Sequence, residues 1–224
     1  MHKWLLILIF TAFCSVARCL EPVSGTMKGH DYVDLGLPSG TVWATCNVGA
    51  DNVNECGDYF AWGEVRVKVS YNCKNYAFYT GPYEEITKYR TSTPSVNGDG
   101  LLQLQKSDDV ATQEWGAPWH MPSADQAQEL MDNCRRTWVM SYNGMAVNGM
   151  LLTGPNGNKL FLPAAGFFDG RKLTGLGRVG DYWLLDLFEE SGYGALVLDF
   201  NQNDCANGVA NRHMGQSVRP VMER

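Results

Sequence analysis

The sequence predicts an α+β fold, in which two helices lie among many short antiparallel strands. Turn-forming residues separate short apolar runs along most of the chain. Capping residues predict helices that begin at Ser107 and Ser123, and apolar residues recur at helical spacing at residues 124–134. The chain has 224 residues, which is long enough to bury a substantial core. We therefore expect one domain, over residues 31–222, with short antiparallel strands, two helices and long loops.

The first hairpin is predicted between Asp31 and Ala44. Its turn contains Pro38, which presets the first central dihedral, and Gly40, which suits the last turn position. Residues 57–89 then hold nine aromatic side chains without a sustained period, which indicates short strands and packed loops. Residues 91–100 are polar turn formers and predict a surface loop.

Two helices follow these loops. Ser107 is predicted to cap a short helix ending at Trp115, because two carboxylates follow it where they favour the positive end of the helix dipole. Ser123 and Gln126 form a capping box that begins the longer helix. The apolar residues of this second helix fall on one stripe, predicted to pack against a sheet: Ala124, Ala127, Leu130, Met131 and Cys134.

The rest of the chain is predicted to be mainly strands. Residues 150–153 and 159–162 flank Asn156-Gly157, which is a strong hairpin signal. Residues 175–180 are rich in glycine and predict a surface loop. The last strands are expected at residues 181–187, 195–200 and 217–222.

The N-terminus has the pattern of an exported protein. A charged start is followed by an apolar run at residues 4–13 and then by small residues, which predicts a signal peptide over residues 1–17. Cleavage is expected after Ala17, with Cys19 as the alternative. The run is shorter than the ~20 residues that cross a bilayer, so we predict no transmembrane segment and a secreted or cell-surface location. A lipid anchor on Cys19 is an alternative that the preceding Arg18 disfavours.

The charge balance bears on the choice of partner. The chain carries 18 Lys and Arg against 24 Asp and Glu, a formal charge of −6, without a basic cluster. A nucleic-acid partner is therefore not expected.

Six cysteines remain after cleavage at Ala17, and export favours disulfide bonds among them. We predict a bond between Cys46 and Cys134, although spacing alone does not define the connectivity. The chain has no C-x-x-C pair, and no zinc site is predicted.

Several stretches resemble one protein family. They are residues 32–50 (YVDLGLPSGTVWATCNVGA), 57–64 (GDYFAWGE), 119–122 (WHMP) with Glu129-Leu130, and 217–221 (SVRPV). This series resembles the Fibrobacter succinogenes major paralogous domain, a family of bacterial surface proteins. The resemblance extends from Asp31 to Val221. It implies a C-type-lectin-like fold, related also to formylglycine-generating enzymes.

A fold of that kind supports binding and, rarely, catalysis. Formylglycine-generating enzymes use two cysteines close together in the C-terminal part, whereas here only Cys205 lies beyond Cys134. We therefore predict a non-catalytic binding module without a cofactor, for an unknown protein or glycan ligand. One alternative is an enzyme of the formylglycine-generating type, with Cys205 as a reactive thiol. Another is a structural adhesin or cell-envelope component.

Carboxylates are numerous, but the sequence lacks the Asp-x-Asp-x-Asp loop and the signatures of calcium-dependent sugar-binding lectins. No metal site is predicted, and a structural calcium ion is left open.

The ligand is expected to contact loops within the last forty residues. Strand alternation predicts that Leu196, Leu198 and Phe200 face the core and that the residues between them face solvent. The resemblance places changeable surface residues around His213. The predicted ligand-contacting residues are Val197, Asp199, Asp204, Asn207, Asn211, His213, Met214 and Gln216.

Overall fold

The computed structural model describes residues 23–80, 85–92 and 97–224. Within them, helices α1 (Val110–Trp115) and α2 (Ala124–Asn133) lie among short strands. The strands are β1 (Gly25–Met27), β2 (His30–Val33), β3 (Val42–Ala44), β4 (Tyr79–Thr80), β5 (Glu85–Ile86), β6 (Arg135–Val139), β7 (Gly149–Thr153), β8 (Lys159–Pro163), β9 (Phe167–Asp169), β10 (Lys172–Thr174), β11 (Val179–Leu187), β12 (Gly194–Asn201), β13 (Cys205–Asn211) and β14 (Val221–Met222).

The strands form several small antiparallel sheets. Three of them have the strand orders β1-β2-β3-β14, β6-β7-β8 and β11-β12-β13, and two further pairs are β4-β5 and β9-β10. The first sheet joins the two ends of the described chain, because Val221 of β14 pairs with Trp43 of β3. The fold is thus mostly β with two helices and loops, which agrees with the coarse prediction of helices among short antiparallel strands.

Helix α2 begins as predicted. Ser123 Oγ accepts a hydrogen bond from the backbone N–H of Gln126 at 3.2 Å, and Gln126 Oε1 accepts one from the N–H of Ser123 at 2.9 Å. Ala127, Leu130 and Met131 are buried in a core that includes residues of β11 and β12. The capping box and the apolar stripe are both confirmed.

Helix α1 begins later than predicted. Its cap is Asp109 rather than Ser107, because Asp109 Oδ1 accepts hydrogen bonds from the N–H groups of Ala111 at 2.9 Å and Thr112 at 3.3 Å. The intervening Asp108 instead accepts a hydrogen bond from Lys88 Nζ at 2.6 Å. The helix is therefore only six residues long.

Both predicted hairpins are present. In the turn between β2 and β3, Gly40 has φ of +77° and its N–H donates to the Leu37 carbonyl at 3.0 Å. Strands β7 and β8 pair around Gly157, whose φ is +87°. Glycine adopts such angles without steric cost, which explains its position in each turn.

The C-terminal part differs from the prediction at two strands. Residues 205–211, which lie outside the expected strands, form β13 because their backbone pairs with β12, and an edge strand does not need apolar side chains. The strand expected at residues 217–222 is reduced to β14, since Pro220 has no N–H for a ladder bond.

The β11-β12-β13 sheet is buried on both faces over most of β12. Leu198 and Phe200 pack on the side of α2, in one core. Ala195 and Val197 point the other way, into a second core that contains Trp62. The prediction that Val197 faces solvent is therefore wrong, because simple alternation assumes that one face of a sheet is exposed.

The predicted disulfide bond is absent. No disulfide bond joins any of the cysteines within the described residues, so the Cys46–Cys134 pairing is wrong. Cys134 is buried in the core at the C-terminal end of α2, whereas Cys46 lies in the loop after β3, 3.8 Å from Thr45 Oγ1. Their local contacts thus belong to different parts of the fold.

Several predictions concern residues outside the described part of the chain. The signal peptide, both cleavage positions and the Cys19 anchor lie within residues 1–22, and residues 93–96 belong to the predicted surface loop. Among the helices that are described, none has the length and apolar character needed to cross a membrane.

Candidate functional site

A cleft of about 850 Å³ opens beside the first sheet and the end of α1. It lies between the β1–β2 turn, the loop after β3 and residues 58–67, and Trp115 forms part of its wall. Its lining residues, which we call the acidic cleft, are Gly29, His30, Asp31, Thr45, Cys46, Val48, Gly49, Ala50, Asp51, Asp58, Phe60, Val65, Arg66, Val67, Glu114 and Trp115.

The loop after β3 is held in shape by Glu55. Its Oε2 accepts hydrogen bonds from the N–H groups of Asp51 at 2.9 Å and Asn52 at 3.2 Å. Its Oε1 accepts a third from the Asn52 side-chain amide at 2.8 Å. The Asn52 side-chain bond, followed by the backbone bond from Asp51, lowers the pKa of Glu55. These bonds fix the backbone that presents Asp51 to the cleft.

Gly49 makes room for the Asp58 side chain. Its φ is +78°, and a Cβ atom added there would lie 2.8 Å from Cβ of Asp58 and still closer to the carboxylate. The Asp58 N–H also donates to the Val48 carbonyl at 2.9 Å. Only glycine permits both the backbone angle and this close approach.

One wall of the cleft is aromatic. The imidazole of His30 stacks on the indole of Trp115, with ring centroids 3.7 Å apart and planes inclined by 5°. Trp115 also packs against Trp119, which is fully buried, with ring centroids 5.4 Å apart and planes nearly perpendicular. Burial lowers the pKa of His30, against an opposing effect of the Asp31 charge. At neutral pH the stacked imidazole is therefore mainly uncharged and adds no cation to the cleft.

The charged side chains of the lining are mostly acidic. Asp31, Asp51, Asp58 and Glu114 contribute carboxylates, and Arg66 contributes a guanidinium. Clefts lined by charges of one sign concentrate the electrostatic field. This arrangement attracts cations and hydrogen-bond donors and disfavours anionic ligands.

Beneath the cleft, the loop after β3 rests on a buried arginine. Arg219 is 1% exposed, and its Nη1 donates to the carbonyls of Ala44 at 3.1 Å and Thr45 at 2.9 Å. Its Nε donates to Asn47 Oδ1 at 2.7 Å. The C-terminal segment therefore fixes the position of one cleft wall.

The eight residues predicted to contact a ligand do not form one surface. Val197 and Gln216 are 2% and 1% exposed, so their expected exposure is wrong. The backbone of Gln216 forms a two-bond bridge with Phe60, which places this segment inside the fold. Asp204 and Asn211 are exposed but lie at opposite ends of β13.

The other four are half-buried. Asn207 lies beneath α2, with its amide donating to the Ala124 carbonyl at 3.2 Å, whereas Asp199 lies on the opposite face of the sheet, across from Asp181. Met214 packs against the core that contains Trp62. His213 contacts Cys73, a residue that the sequence did not single out.

Sequence reasoning missed the acidic cleft. Gly49 lies in the 32–50 motif and Asp58 in the 57–64 motif, and in the sequence these motifs indicate only a resemblance to a family. The sequence signal for the cleft is limited to this glycine and this aspartate, which lie in two separate loop motifs. Their proximity depends on pairings between distant strands, which the sequence pattern did not define.

No group of three or more His, Cys, Asp or Glu side chains is arranged to hold a metal ion within residues 23–80, 85–92 and 97–224.

Comparisons of the chain with models of protein families, with curated proteins and with solved structures found no match.

Proposed function

We propose that this protein is an exported, non-catalytic binding module whose acidic cleft holds a cationic group of a partner protein. The observation that carries the proposal is the excess of carboxylates, Asp31, Asp51, Asp58 and Glu114, over the single guanidinium of Arg66 in the described lining. Lysine and arginine side chains pair with carboxylates through charge-assisted hydrogen bonds. The cleft volume lies within the range of about 300–1,000 Å³ that is usual for ligand sites.

We further propose that the chain has a C-type-lectin-like fold of the Fibrobacter succinogenes major paralogous domain family. The motifs at residues 32–50, 57–64, 119–122 and 217–221 support this assignment. So does the arrangement of two helices among small antiparallel sheets connected by loops. Export is inferred from the N-terminal pattern of residues 1–17.

Binding is favoured over catalysis by the state of the groups in the cleft. Nucleophilic catalysis needs a nucleophile activated by a nearby base. Burial raises the pKa of the Cys46 thiol, which opposes formation of the reactive thiolate. The His30 imidazole stacks on Trp115. Within the described residues, no carboxylate is seen to hydrogen-bond this imidazole and orient it as a base.

The alternative of a formylglycine-generating-type enzyme with Cys205 as its thiol is weakened for a similar reason. Cys205 is 9% exposed and packs in the core beneath α2. Burial raises its pKa, with a partly opposing hydrogen bond from Arg136. A structural adhesin that binds no small cationic group is the other alternative, and the binding experiment distinguishes it.

The exposed residues Asp204 and Asn211 are a second proposed contact region. Asp204 immediately precedes the edge strand β13, and Asn211 is its last residue. Edge strands leave backbone groups available to a partner chain, which supports a protein rather than a small molecule at that surface.

The proposal is tested by titrating the protein with a fluorescent tetralysine peptide. We expect the peptide to bind more weakly as salt is added. In the Asp51→Asn/Asp58→Asn double variant, Kd should increase about tenfold or more, and a tenfold increase equals a loss of about 1.4 kcal/mol of binding free energy. The control is Asp132→Asn/Asp169→Asn, which removes two exposed carboxylates outside the cleft. Equal loss of affinity in both variants would show a general charge effect and contradict the cleft. Binding to a neutral glycan alone would assign the ligand to the glycan class.

A further inference from the structure

Cys73 and His213 are 140 positions apart in the chain but lie in contact. The Cys73 Sγ is 3.3 Å from His213 Nδ1 and 3.8 Å from Nε2. Both side chains are half-buried, so the sulfur is neither sealed in a core nor fully hydrated. A thiol and an imidazole at this separation are within reach of proton transfer.

Local hydrogen bonds fix the backbone on the cysteine side. Cys73 begins a short 3-10 helix, Cys73–Asn75, and the Asn72 side chain accepts from the Lys74 N–H at 3.1 Å. The Asn75 amide in turn donates to the Ser70 carbonyl at 2.7 Å. These bonds hold Cys73 on an ordered turn.

Two contacts on either side of the pair join its two segments. On one side, Arg212 Nε donates to the Tyr76 hydroxyl at 3.1 Å. On the other, the Tyr71 ring lies against Gly215, where an added Cβ atom would be 2.8 Å from the ring. Residues 71–76 are therefore tied to residues 212–215 both before and after the Cys73–His213 contact.

Burial opposes ionisation of the other four thiols of the described chain. Burial raises the pKa of Cys46, Cys56 and Cys205, and raises that of Cys134 to about 11. At neutral pH these four thiols are held mainly in the protonated, unreactive form.

We infer that Cys73 and His213 form a nucleophilic thiol–imidazole pair that reacts with disulfides. The His213 imidazole takes the Cys73 proton, and the thiolate attacks one sulfur of the disulfide. A new bond forms between Cys73 Sγ and that sulfur as the old S–S bond breaks. The departing thiolate receives the proton from the imidazolium. The products are a mixed disulfide on Cys73 and one free thiol, with no other oxidant or reductant required.

This reactivity goes beyond the proposed function, because neither Cys73 nor His213 lines the acidic cleft. The chemical class of the substrate is a disulfide, of low molecular weight or on a protein surface. The reaction would attach this chain covalently to its partner.

The test is the rate of reaction of the full chain with the aromatic disulfide 5,5′-dithiobis(2-nitrobenzoate) at neutral pH. We expect one fast equivalent that is lost in Cys73→Ser and retained in the control Cys56→Ser, whose thiol is also half-buried. His213→Gln should slow the fast phase about tenfold, because less of the thiol is then ionised. In His213→Ala, added imidazole should restore part of the rate, which a purely structural role of His213 would not allow.

Circular dichroism establishes that each variant is folded before its rate is interpreted. Peptide mapping of the wild-type protein after one equivalent of reagent gives a readout that needs no variant, and we expect the label on Cys73. Labelling of another cysteine, or an unchanged rate in folded His213→Gln, would overturn the inference.

Discussion

Arg219 Nε donates a hydrogen bond to Asn47 Oδ1 at 2.7 Å, joining two buried residues that are 172 positions apart. Asn47 lies in the loop after β3, and its amide nitrogen donates to the Cys56 carbonyl at 2.8 Å. The bond therefore connects the C-terminal segment to both ends of the loop that carries Gly49 and Asp51. The acidic cleft depends on contacts that form only when the two ends of the fold have assembled.

Replacing Arg219 with methionine should destabilise the fold by about 3 kcal/mol, because it leaves Asn47 Oδ1 and two backbone carbonyls without their buried donor. The measurement is the free energy of unfolding from urea denaturation. Arg224→Met is the control, since its ion pair with Asp34 is partly exposed and such pairs contribute about 0–1 kcal/mol. Similar losses in the two variants would contradict the role given to Arg219.

The two predicted helix caps should respond differently to the same substitution. Ser123→Ala should lower stability by about 1 kcal/mol, because the N–H of Gln126 loses its acceptor. Ser107→Ala should change stability by less than about 0.5 kcal/mol, since Asp109 is the cap of α1. Thermal melts of both variants test this difference, and equal effects would be incompatible with the observed caps.

Asp181 should make stability depend on pH. Burial, and next the charge of Asp199, raise the pKa of Asp181 to about 7, from about 3.9 in an unfolded chain. The native state then holds a proton that the unfolded state loses between about pH 4 and 7, so stability from this group is full below that range and is lost as pH rises through it. The melting temperature of the wild-type protein should fall relative to Asp181→Asn over that window and then stay level.

The control for Asp181 is Asp169→Asn, which alters an exposed carboxyl on β9. Its melting temperature should follow that of the wild-type protein across the same pH range. A constant difference between wild type and Asp181→Asn from pH 4 to 7 would disprove the raised pKa.

Gly49→Ala should destabilise the protein more than Gly40→Ala. Both glycines have φ near +77°, so both substitutions carry the cost of a left-handed backbone, about 1–2 kcal/mol. At Gly40 an added Cβ meets nothing within 4 Å, whereas at Gly49 it meets the Asp58 side chain. Gly49→Ala should therefore have a lower free energy of unfolding than Gly40→Ala, and a weaker affinity for tetralysine. Equal values in the two variants would show that Asp58 moves aside freely.

The parts of the fold that were predicted correctly depend on residues close together in sequence. The capping box of Ser123 and the turn at Gly157 are local signals, and the structure confirms both. The cap of α1 was misplaced by two residues because Ser107 and Asp109 are both good capping residues, and contacts with Met121 favour Asp109.

The parts that were not predicted depend on long-range packing. Strand alternation predicts that Val197 faces solvent, because the sequence does not reveal that a second core covers the other face of β12. The cysteines were mispredicted for the same reason. Their spacing indicates neither that Cys73 lies beside His213 nor that no disulfide bond joins Cys46 to Cys134. The sequence singles out His213, which lies outside the acidic cleft, but it does not indicate Asp58 or the other residues of the cleft.

The most direct test of the central claim is the position at which a cationic peptide binds. In a two-dimensional NMR titration of the isotopically labelled protein with tetralysine, we expect amide shifts to concentrate at Gly29, Gly49, Asp51 and Val67, together with the indole N–H of Trp115. Shifts confined to Asp204 and Asn211, which lie at the two ends of β13, or no shifts at saturating peptide, would contradict a cation-binding function for the acidic cleft.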